Sequence, residues 1–169
     1  SRVSESLGFD ILVDAFIQLK QKPQFSQLQL HVTGGKTGDD TRFIKVQKKK
    51  LERNGLLQDV QFYDEFTGQR RIDFLKNCSV VSVPVPEGEA FGMFIIEALA
   101  CGVPVVQPDA GAFPELVTAT GGGLIYQPNT SEKLAEEVCE IINREYDSLP
   151  RKEIFESSLT KHSYVLIAR

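Results

Sequence analysis

The sequence predicts an α/β fold of three layers, in which helices cover both faces of a parallel β-sheet. Short runs rich in β-branched residues alternate with longer segments of helical periodicity, and this order is typical of parallel sheets joined by crossover helices. The chain has 169 residues, 41% of them hydrophobic and 25% charged, which is enough for one domain with a hydrophobic core. Ligands of such sheets bind at the carboxyl ends of the strands, so the residues that follow each strand are the candidate site residues.

Five elements are predicted in the first half of the chain, beginning with a helix. The run FDILVDAFIQLKQ repeats apolar residues at helical spacing and is followed by Pro23, which ends the helix. LQLHVTGG reads as a strand that ends in two glycines, residues 39–54 as a helix, and residues 60–63 as a short strand. The helix in TGQRRIDFLKNC is expected to turn three apolar residues inward, namely Ile72, Phe74 and Leu75.

The second half of the chain adds three strands and two helices. SVVSVPV, residues 79–85, is a continuous apolar run typical of a strand buried on both faces. A helix in EGEAFGMFIIEALACG follows, and VPVVQP and GLIYQP read as further strands. The last helix, TSEKLAEEVCEIINREY, opens with Thr130 or Ser131 as its cap. The residues expected to face inward around the middle helix are Phe91, Phe94, Ile95, Ala98 and Leu99.

Both ends of the sequence suggest a domain excised from a larger protein. The opening SRVSES holds no complete strand before the first helix, although half of a doubly wound fold is expected to begin with one. At the other end, the residues that follow Pro150 have little core of their own. Residues 1–149 are the expected domain, and residues 150–169 read as a C-terminal helix that would pack on a missing N-terminal domain. The apolar residues that motivate this packing are Ile154, Phe155, Leu159, Val165, Leu166 and Ile167.

Composition argues against several classes of protein. The net charge of -4 does not favour nucleic-acid binding through bulk charge, and no apolar run approaches the ~20 residues that a membrane span needs. The three cysteines lie in apolar surroundings without CxxC spacing and read as reduced core residues of a cytoplasmic protein. His31, inside the first strand, is better explained as a satisfied core residue than as a ligand, and no metal site is predicted.

The strongest charge feature lies on the helix of residues 39–54. A solvated helix face accounts for this feature, and the functional alternative is a patch that faces an anionic membrane. That alternative would place the full-length protein peripherally at the inner face of the membrane. The basic residues concerned are Lys45, Lys48, Lys49, Lys50 and Arg53.

Two glutamates, Glu89 and Glu97, stand eight residues apart around a helix start. The helix begins near Gly92, after the strand of residues 79–85, so its N-terminus points to the carboxyl edge of the sheet. Backbone N–H groups and the positive end of the helix dipole attract phosphate there, and Gly92 allows a ligand to approach the backbone. Each carboxylate can accept paired hydrogen bonds from sugar hydroxyls. This layout suits the ribose, pyrophosphate and hexose of a nucleotide-diphosphate sugar.

The same two glutamates are compatible with two roles outside nucleotide-sugar binding. Glu97 could pair with a lysine on a neighbouring helix while Glu89 sits in a solvated loop. The two carboxylates could also flank a bond, as they do in glycoside hydrolases. One of them would then need a raised pKa to act as an acid, and a helix N-terminus opposes this by stabilising the anion. The hydrolase role is the weaker one for that reason.

The stretches EAFG and EALACGVPVV, which begin with Glu89 and Glu97, resemble the glutamate-x7-glutamate signature of retaining glycosyltransferases of family 4. LQLHVTGG, VQFYDEF, DAGAFPELV and GGGLIYQP resemble further segments of that family in the same order. The resemblance covers almost the whole chain. It implies that residues 1–149 form a Rossmann-like nucleotide-sugar binding domain, the C-terminal, donor-binding half of the two-domain GT-B fold.

The family resemblance implies roles for individual residues. Glu97 would hold the ribose hydroxyls, Glu89 would contact the donor hexose, and Arg2 would contact the pyrophosphate, which makes Glu89 and Arg2 the catalytic candidates. Gly34 and Gly35 would let the donor approach the backbone. The residues whose backbone would meet the sugar and phosphates are Ala90, Phe91, Gly92 and Met93. The residues expected to line the base are Phe62, Tyr63 and Asp64.

The implied activity is transfer of a sugar from a nucleotide-diphosphate sugar, such as a UDP- or GDP-sugar, to an acceptor hydroxyl with retention of configuration. The family needs neither a dissociable metal nor another cofactor. A glycan, lipid or small-molecule acceptor would be held mostly by the missing N-terminal domain. The resemblance therefore implies that this fragment binds the donor and transfers nothing by itself.

Three positions depart from the family pattern. Pro86 stands where the family usually has a serine, Tyr63 stands where a glycine is common, and the third departure concerns a lysine. A lysine usually stands five residues after the arginine, and Leu7 occupies that position here. The diphosphate leaving group then lacks one cationic partner, which favours a catalytically silent nucleotide-sugar-binding domain as an alternative. A nucleotide-sugar epimerase or a phosphorylase would reuse the GT-B plan, but the sequence offers no convincing catalytic histidine or cofactor lysine for either. Glu87 has no assigned role beyond a solvated turn.

Overall fold

The strands form one parallel sheet. The computed structural model describes residues 3–35, 37–64, 67–89, 91–147 and 164–167. Six strands are present in these ranges, in the order β2-β1-β6-β3-β4-β5, and every paired neighbour is parallel. The predicted α/β class with a parallel sheet is confirmed. The strands are β1 (Gln29–Thr33), β2 (Val60–Tyr63), β3 (Val80–Ser82), β4 (Val105–Pro108), β5 (Gly123–Tyr126) and β6 (Tyr164–Ile167).

Helices make up the two outer layers. The first packs against the second and the sixth, and the fourth packs against the third and the fifth. None of the helices in the described ranges combines the length and apolar character that crossing a bilayer requires. Short 3-10 turns occupy Glu5–Leu7, Pro23–Phe25 and Leu57–Asp59. The helices are α1 (Phe9–Lys20), α2 (Asp40–Arg53), α3 (Gly68–Lys76), α4 (Met93–Ala100), α5 (Phe113–Thr120) and α6 (Ser131–Asp147).

The core follows the predicted apolar pattern for most elements. The inward face of α1 buries Leu12, Phe16 and Leu19, because residues three and four apart share one side of a helix. All three residues of β3 are buried, as expected for a strand covered on both faces. The predicted N-cap of α6 is also confirmed, since the Lys133 backbone N–H donates to the Thr130 hydroxyl over 3.3 Å.

Two apolar residues predicted to face inward are exposed. Ile72 is 40% exposed because it lines the groove between α3 and α4, and Leu75 fills the inward position of α3. Phe91 is 76% exposed. It precedes Gly92, which adopts a left-handed φ of 55° as the N-cap of α4, so the Phe91 ring belongs to the loop and not to the inward helix face.

The predicted C-terminal helix is wrong for its last described residues. Tyr164–Ile167 form strand β6, which pairs with β1 on one side and with β3 on the other. The β-branched and aromatic residues of YVLI suit such a strand. The remaining part of the tail, residues 148–163 with 168 and 169, lies outside the described residues, so its expected packing on a further domain stays a prediction.

A side chain takes over the pairing between β3 and β4 toward their carboxyl ends. The two strands are in register at Val81 and Val105. Beyond that point, Gln107 accepts a hydrogen bond from the Val83 N–H over 2.7 Å and donates one to the Val83 carbonyl over 2.9 Å. Gln107 is fully buried, so its amide satisfies backbone groups that water cannot reach. The two loops after β3 and β4 leave the sheet just past this bridge.

Candidate functional site

The candidate site residues follow the carboxyl ends of β1, β2 and β3, which meet at one edge because the sheet is parallel. At the end of β1, the Gly35 carbonyl accepts a hydrogen bond from the Val3 N–H over 3.0 Å, and the neighbouring Gly34 is buried. The segment before α1 therefore runs along this edge. Arg2, one residue further back, lies outside the described residues, and so does Ala90.

The start of α1 is locked onto the exit of β3. Gly8, the N-cap of α1, has a φ of 74°, and a Cβ there would lie 2.1 Å from the Pro84 carbonyl oxygen. The same carbonyl accepts a hydrogen bond from the Asn129 side-chain amide over 3.0 Å. Leu7, which occupies the lysine position of the family pattern, is half-buried against the core directly before this contact.

The loop that carries Glu89 is tied to the loop after β4 through two glycines. A Cβ on Gly88 would lie 2.5 Å from the backbone of Ala110, and a Cβ on Gly111 would lie 2.7 Å from the backbone of Glu89. Both glycines have left-handed φ angles, of 71° and 54°. The Glu89 carbonyl also accepts a hydrogen bond from the Ala112 N–H over 2.9 Å. These contacts fix the half-buried Glu89 at the sheet edge.

Helix α4 begins directly after this loop. A Cβ on Gly92 would lie 3.2 Å from Leu116 and 3.3 Å from Phe113 on α5, so the backbone turn is packed on that helix. Phe91 and Met93 flank the turn and are 76% and 49% exposed. A helix start is suited to binding an anion, because its first N–H groups lack partners within the helix.

Glu97 lies further along α4 and pairs with an arginine of α3. Arg71 Nη2 donates a hydrogen bond to Glu97 Oε2, and the two side chains are only 21% and 31% exposed. Both residues line a small cavity together with Thr33, which ends β1. The sequence alternative of an ion pair with a neighbouring helix is therefore realised, with an arginine in place of the suggested lysine.

The three residues expected to line a base point in different directions. The ring of Phe62 packs edge-on against Phe9, with the Lys48 ammonium 4.4 Å above it. Tyr63 faces the opposite side of the sheet, where its hydroxyl bonds to His31 Nδ1 over 2.8 Å. Asp64 is exposed at the edge, and its carbonyl accepts a hydrogen bond from the Thr33 hydroxyl over 2.8 Å.

His31 is a buried and hydrogen-bonded strand residue, as predicted. Its ring stacks on Tyr63 with centroids 5.5 Å apart, and its Nε2 lies 3.1 Å from the Gln29 side-chain oxygen. Within the part of the chain that the structure describes, no group of three metal-ligating side chains is close enough to hold an ion.

Arg71 is the site residue that the sequence prediction missed. Arg71 stands four residues before the buried Leu75, and residues four apart share a helix face. This spacing could have indicated that Arg71 faces inward. A basic residue on the inward face of α3 needs an acidic partner, and Glu97 provides one. Gln107 was missed as well, and a glutamine inside a β-rich run was its only signal.

Comparison with known proteins identifies the family of the chain. A family model described as glycosyl transferases group 1 matches residues 1–156. The lipopolysaccharide core biosynthesis mannosyltransferase LpsB of Rhizobium meliloti is 35% identical over 118 residues, which are 69% of this chain and 32% of LpsB.

Solved structures share the fold. Anabaena HepE in complex with UDP superposes with a TM-score of 0.72 and 26% identity, covering 96% of this chain and 43% of HepE. The C-terminal domain of LpcC from Francisella tularensis superposes with a TM-score of 0.75 and 22% identity, over 96% of this chain and 83% of that domain.

The chain spans about a third of the length of the curated relatives it matches. Its sheet and helices correspond to the C-terminal half of a GT-B glycosyltransferase. Since the family model covers nearly its whole length, the chain belongs to the glycosyl transferases group 1 family.

Proposed function

We propose that the chain is the donor-binding half of a retaining glycosyltransferase of family 4, which moves a sugar from a nucleotide-diphosphate sugar to an acceptor hydroxyl. The observation that carries this proposal is the placement of Glu89 and Glu97 on either side of the α4 start, at the carboxyl edge of the sheet. HepE, a structural neighbour of the chain, was solved with UDP, with UDP and glucose, and with UDP-glucose, which supports a nucleotide-sugar donor.

In the proposed complex the donor lies across the start of α4. Glu97 accepts hydrogen bonds from the ribose hydroxyls, and Glu89 accepts them from the hexose. The diphosphate meets the backbone from Phe91 to Met93, where the positive end of the helix dipole offsets its charge. Gly34 and Gly35 let the other side of the donor come close to the backbone after β1.

The proposed transfer step breaks the bond between the anomeric carbon and the diphosphate oxygen. The acceptor oxygen forms its new bond to that carbon from the face that the diphosphate leaves, so the configuration is retained. The acceptor proton passes to the departing phosphate oxygen. Negative charge that develops on the diphosphate is stabilised by the backbone N–H groups at α4 and by Arg2.

The acceptor is expected to bind outside this chain. Acceptor contacts, to a glycan, a lipid or a small molecule, come from the part of a GT-B enzyme that this chain does not span. Taken alone, the chain should therefore bind the donor without transferring sugar.

A titration with nucleotides tests the donor site. UDP, GDP and ADP are titrated into the chain by calorimetry, with the Glu97→Ala variant in parallel. We expect one nucleotide to bind, and we expect Glu97→Ala to weaken it at least about tenfold, since hydrogen bonds to a charged acceptor are lost. Glu87→Ala is the matched control, because Glu87 is exposed in the same region and should leave the affinity unchanged. Unchanged binding by Glu97→Ala, or no binding of any nucleotide to the wild type, contradicts the proposal.

A turnover assay separates an enzyme from a silent binding domain. The half-buried Leu7 at the lysine position favours the silent alternative, because one cation for the leaving group is absent from that position. The full-length protein is incubated with the donor and candidate acceptors, and the anomeric configuration of any product is read by NMR. Retention supports the enzyme, whereas donor binding without consumption supports the silent domain.

We also propose that α2 brings the full-length protein to an anionic membrane surface. Six basic and two acidic residues give α2 a net charge of +4 in a chain whose total charge is -4. Lys45, Lys49 and Arg53 are exposed, and so is Val46, which is 52% exposed among them. Clustered basic residues are attracted to anionic lipids, which supports a peripheral location.

A further inference from the structure

We propose that Arg71 is a positioning residue of the donor site, which orients the Glu97 carboxylate for recognition of the ribose. This inference rests on the donor-binding function proposed above and adds to it a residue that the signature around Glu89 and Glu97 does not include. Its starting observation is the ion pair between α3 and α4, in which Arg71 Nη2 donates to Glu97 Oε2.

The pair is shielded enough to hold a fixed geometry. The two side chains retain 21% and 31% of their exposure, unlike Arg144 and Glu140 on α6, which pair at 62% and 47%. Exposed pairs of that second kind restrict their side chains little. A planar guanidinium that is partly removed from water keeps its carboxylate partner in a narrow range of orientations.

The surroundings of Arg71 keep its guanidinium at the sheet edge. Arg71 and Glu97 line one small cavity with Thr33, Phe74 and Phe94. Thr33 ends β1 and is itself held by the Asp64 carbonyl. The arginine therefore reaches from α3 to the strand end where the glycines Gly34 and Gly35 follow, and it lies beside the place proposed for the ribose.

A fixed carboxylate is a better acceptor for two adjacent hydroxyls. Glu97 projects from a helix through several rotatable bonds, and binding a sugar would otherwise require that freedom to be lost at that moment. Because Arg71 already restricts the Glu97 side chain in the folded protein, the conformational entropy of that side chain is lost during folding and not when the sugar binds. Arg71 should therefore increase the preference of the site for a nucleotide that has both ribose hydroxyls.

The test compares UDP with 2′,3′-dideoxy-UDP, which lacks both hydroxyls. Affinities for both probes are measured for the wild type, Arg71→Met, Arg71→Lys and Glu97→Ala, with Arg70→Met as the control on the same helix. We expect the wild type and Arg70→Met to prefer UDP by about tenfold or more. Arg71→Met should reduce this preference to about twofold, Arg71→Lys should restore part of it, and Glu97→Ala should abolish it.

The outcomes separate this inference from the proposed function. If Arg71→Met keeps the full preference while Glu97→Ala loses it, the donor site stands and the role of Arg71 is overturned. If Arg71→Met binds UDP more tightly than the wild type, the arginine competes with the ribose, which also overturns the inference. GDP and ADP are compared with their 2′,3′-dideoxy forms in the same way if UDP does not bind. If the wild type prefers none of the three nucleotides over its dideoxy form, the ribose assignment of Glu97 fails, and the inference with it. Thermal melts confirm that each variant is folded.

Discussion

At the scale of single residues, the proposed donor site depends on Glu97, whose carboxylate accepts a hydrogen bond from Arg71 on a neighbouring helix. The glutamate was recognisable because a carboxylate interrupts an apolar run at a fixed distance from Glu89. The Arg71 contact depends on how α3 and α4 pack side by side, and no local pattern within either helix encodes that. Phe62 and Tyr63 could be assigned to a loop at the sheet edge, but only the structure shows that their rings face opposite sides.

Cys78 provides a prediction about pH at the same scale. Burial, and secondarily the nearby Cys101, raises the pKa of the Cys78 thiol from its ordinary value of 9.0, and the thiol donates a hydrogen bond to the Phe74 carbonyl over 3.3 Å. Above about pH 9 the unfolded chain loses a proton that the folded chain keeps. The free energy of unfolding should therefore fall by about 1.4 kcal/mol per pH unit on this account.

Urea unfolding measured at pH 8, 9 and 9.8 checks this effect. The range stops below pH 10 because burial also raises the pKa of Tyr126 from its ordinary value of 10.0. We expect Cys78→Ala to reduce the pH dependence to the part that Cys101 contributes, since burial raises the pKa of the Cys101 thiol as well. The same substitution should lower stability at every pH. Cys139→Ala, on the partly exposed side of α6, should keep the slope of the wild type. Equal slopes for wild type and Cys78→Ala would contradict the assignment.

At the scale of elements, the sequence pattern was sufficient wherever an element carries its own boundary signals. Helix α1 ends before Pro23, β2 has the predicted bounds, and α6 begins at its Thr130 cap. The failures have two causes, one in the local backbone and one in tertiary structure. Phe91 is exposed because a left-handed glycine redirects the chain, and β6 is a strand because β1 and β3 are available on both sides of it.

The junction between α1 and β3 gives a prediction about an element boundary. Alanine at Gly8 would combine a left-handed φ of 74° with a Cβ 2.1 Å from the Pro84 carbonyl oxygen. We expect Gly8→Ala to lower the free energy of unfolding by about 3 kcal/mol or more, since backbone strain and overpacking add. Chemical denaturation of the purified chain measures this loss.

Gly55 supplies the control for that substitution. Its φ of 67° is also left-handed, but a Cβ there would meet no atom within 4 Å. Gly55→Ala should therefore cost only about 1 kcal/mol, the strain of the left-handed conformation. Similar losses for the two variants would mean that the contact with Pro84 does not contribute.

At the scale of the whole molecule, the topology was predictable from the sequence. Which basic residues are paired and which are exposed is visible only in the structure. The alternation of strands and helices was enough to predict a parallel sheet with helices on both faces. The basic residues of α2 were visible in the sequence, yet Lys50 turned out to pair with Asp14 on α1 over 2.7 Å and Lys48 to cover the Phe62 ring. Four basic residues of α2 are left as the exposed basic face, namely Arg42, Lys45, Lys49 and Arg53.

Vesicle binding tests whether this face meets a membrane. We expect the chain to sediment with vesicles that contain phosphatidylglycerol and not with neutral phosphatidylcholine vesicles. Changing Lys45, Lys49 and Arg53 together to glutamine should weaken binding roughly 100-fold, at about 1 kcal/mol for each basic residue, and high salt should weaken it as well.

A charge-matched variant completes the experiment. Replacing Lys22, Lys76 and Arg144 with glutamine removes the same charge from exposed positions away from α2. This variant should bind anionic vesicles nearly as well as the wild type. Equal losses for the two triple variants would show that net charge governs binding and that the basic face of α2 has no special role.

The glycine contacts between the two loops also bear on how donor choice could be redesigned. Gly88 lies against the backbone of Ala110, and Gly111 lies against the backbone of Glu89. The Ala112 N–H also donates a hydrogen bond to the Glu89 carbonyl. Neither loop can accept a longer side chain or an insertion at this crossing without displacing the other. If residues 86–92 alone were replaced by those of a relative with another specificity, the new loop would lack the matching loop after β4, whose contacts fix its conformation. The transferable module is the pair of loops, residues 86–92 together with 109–112, exchanged as one piece.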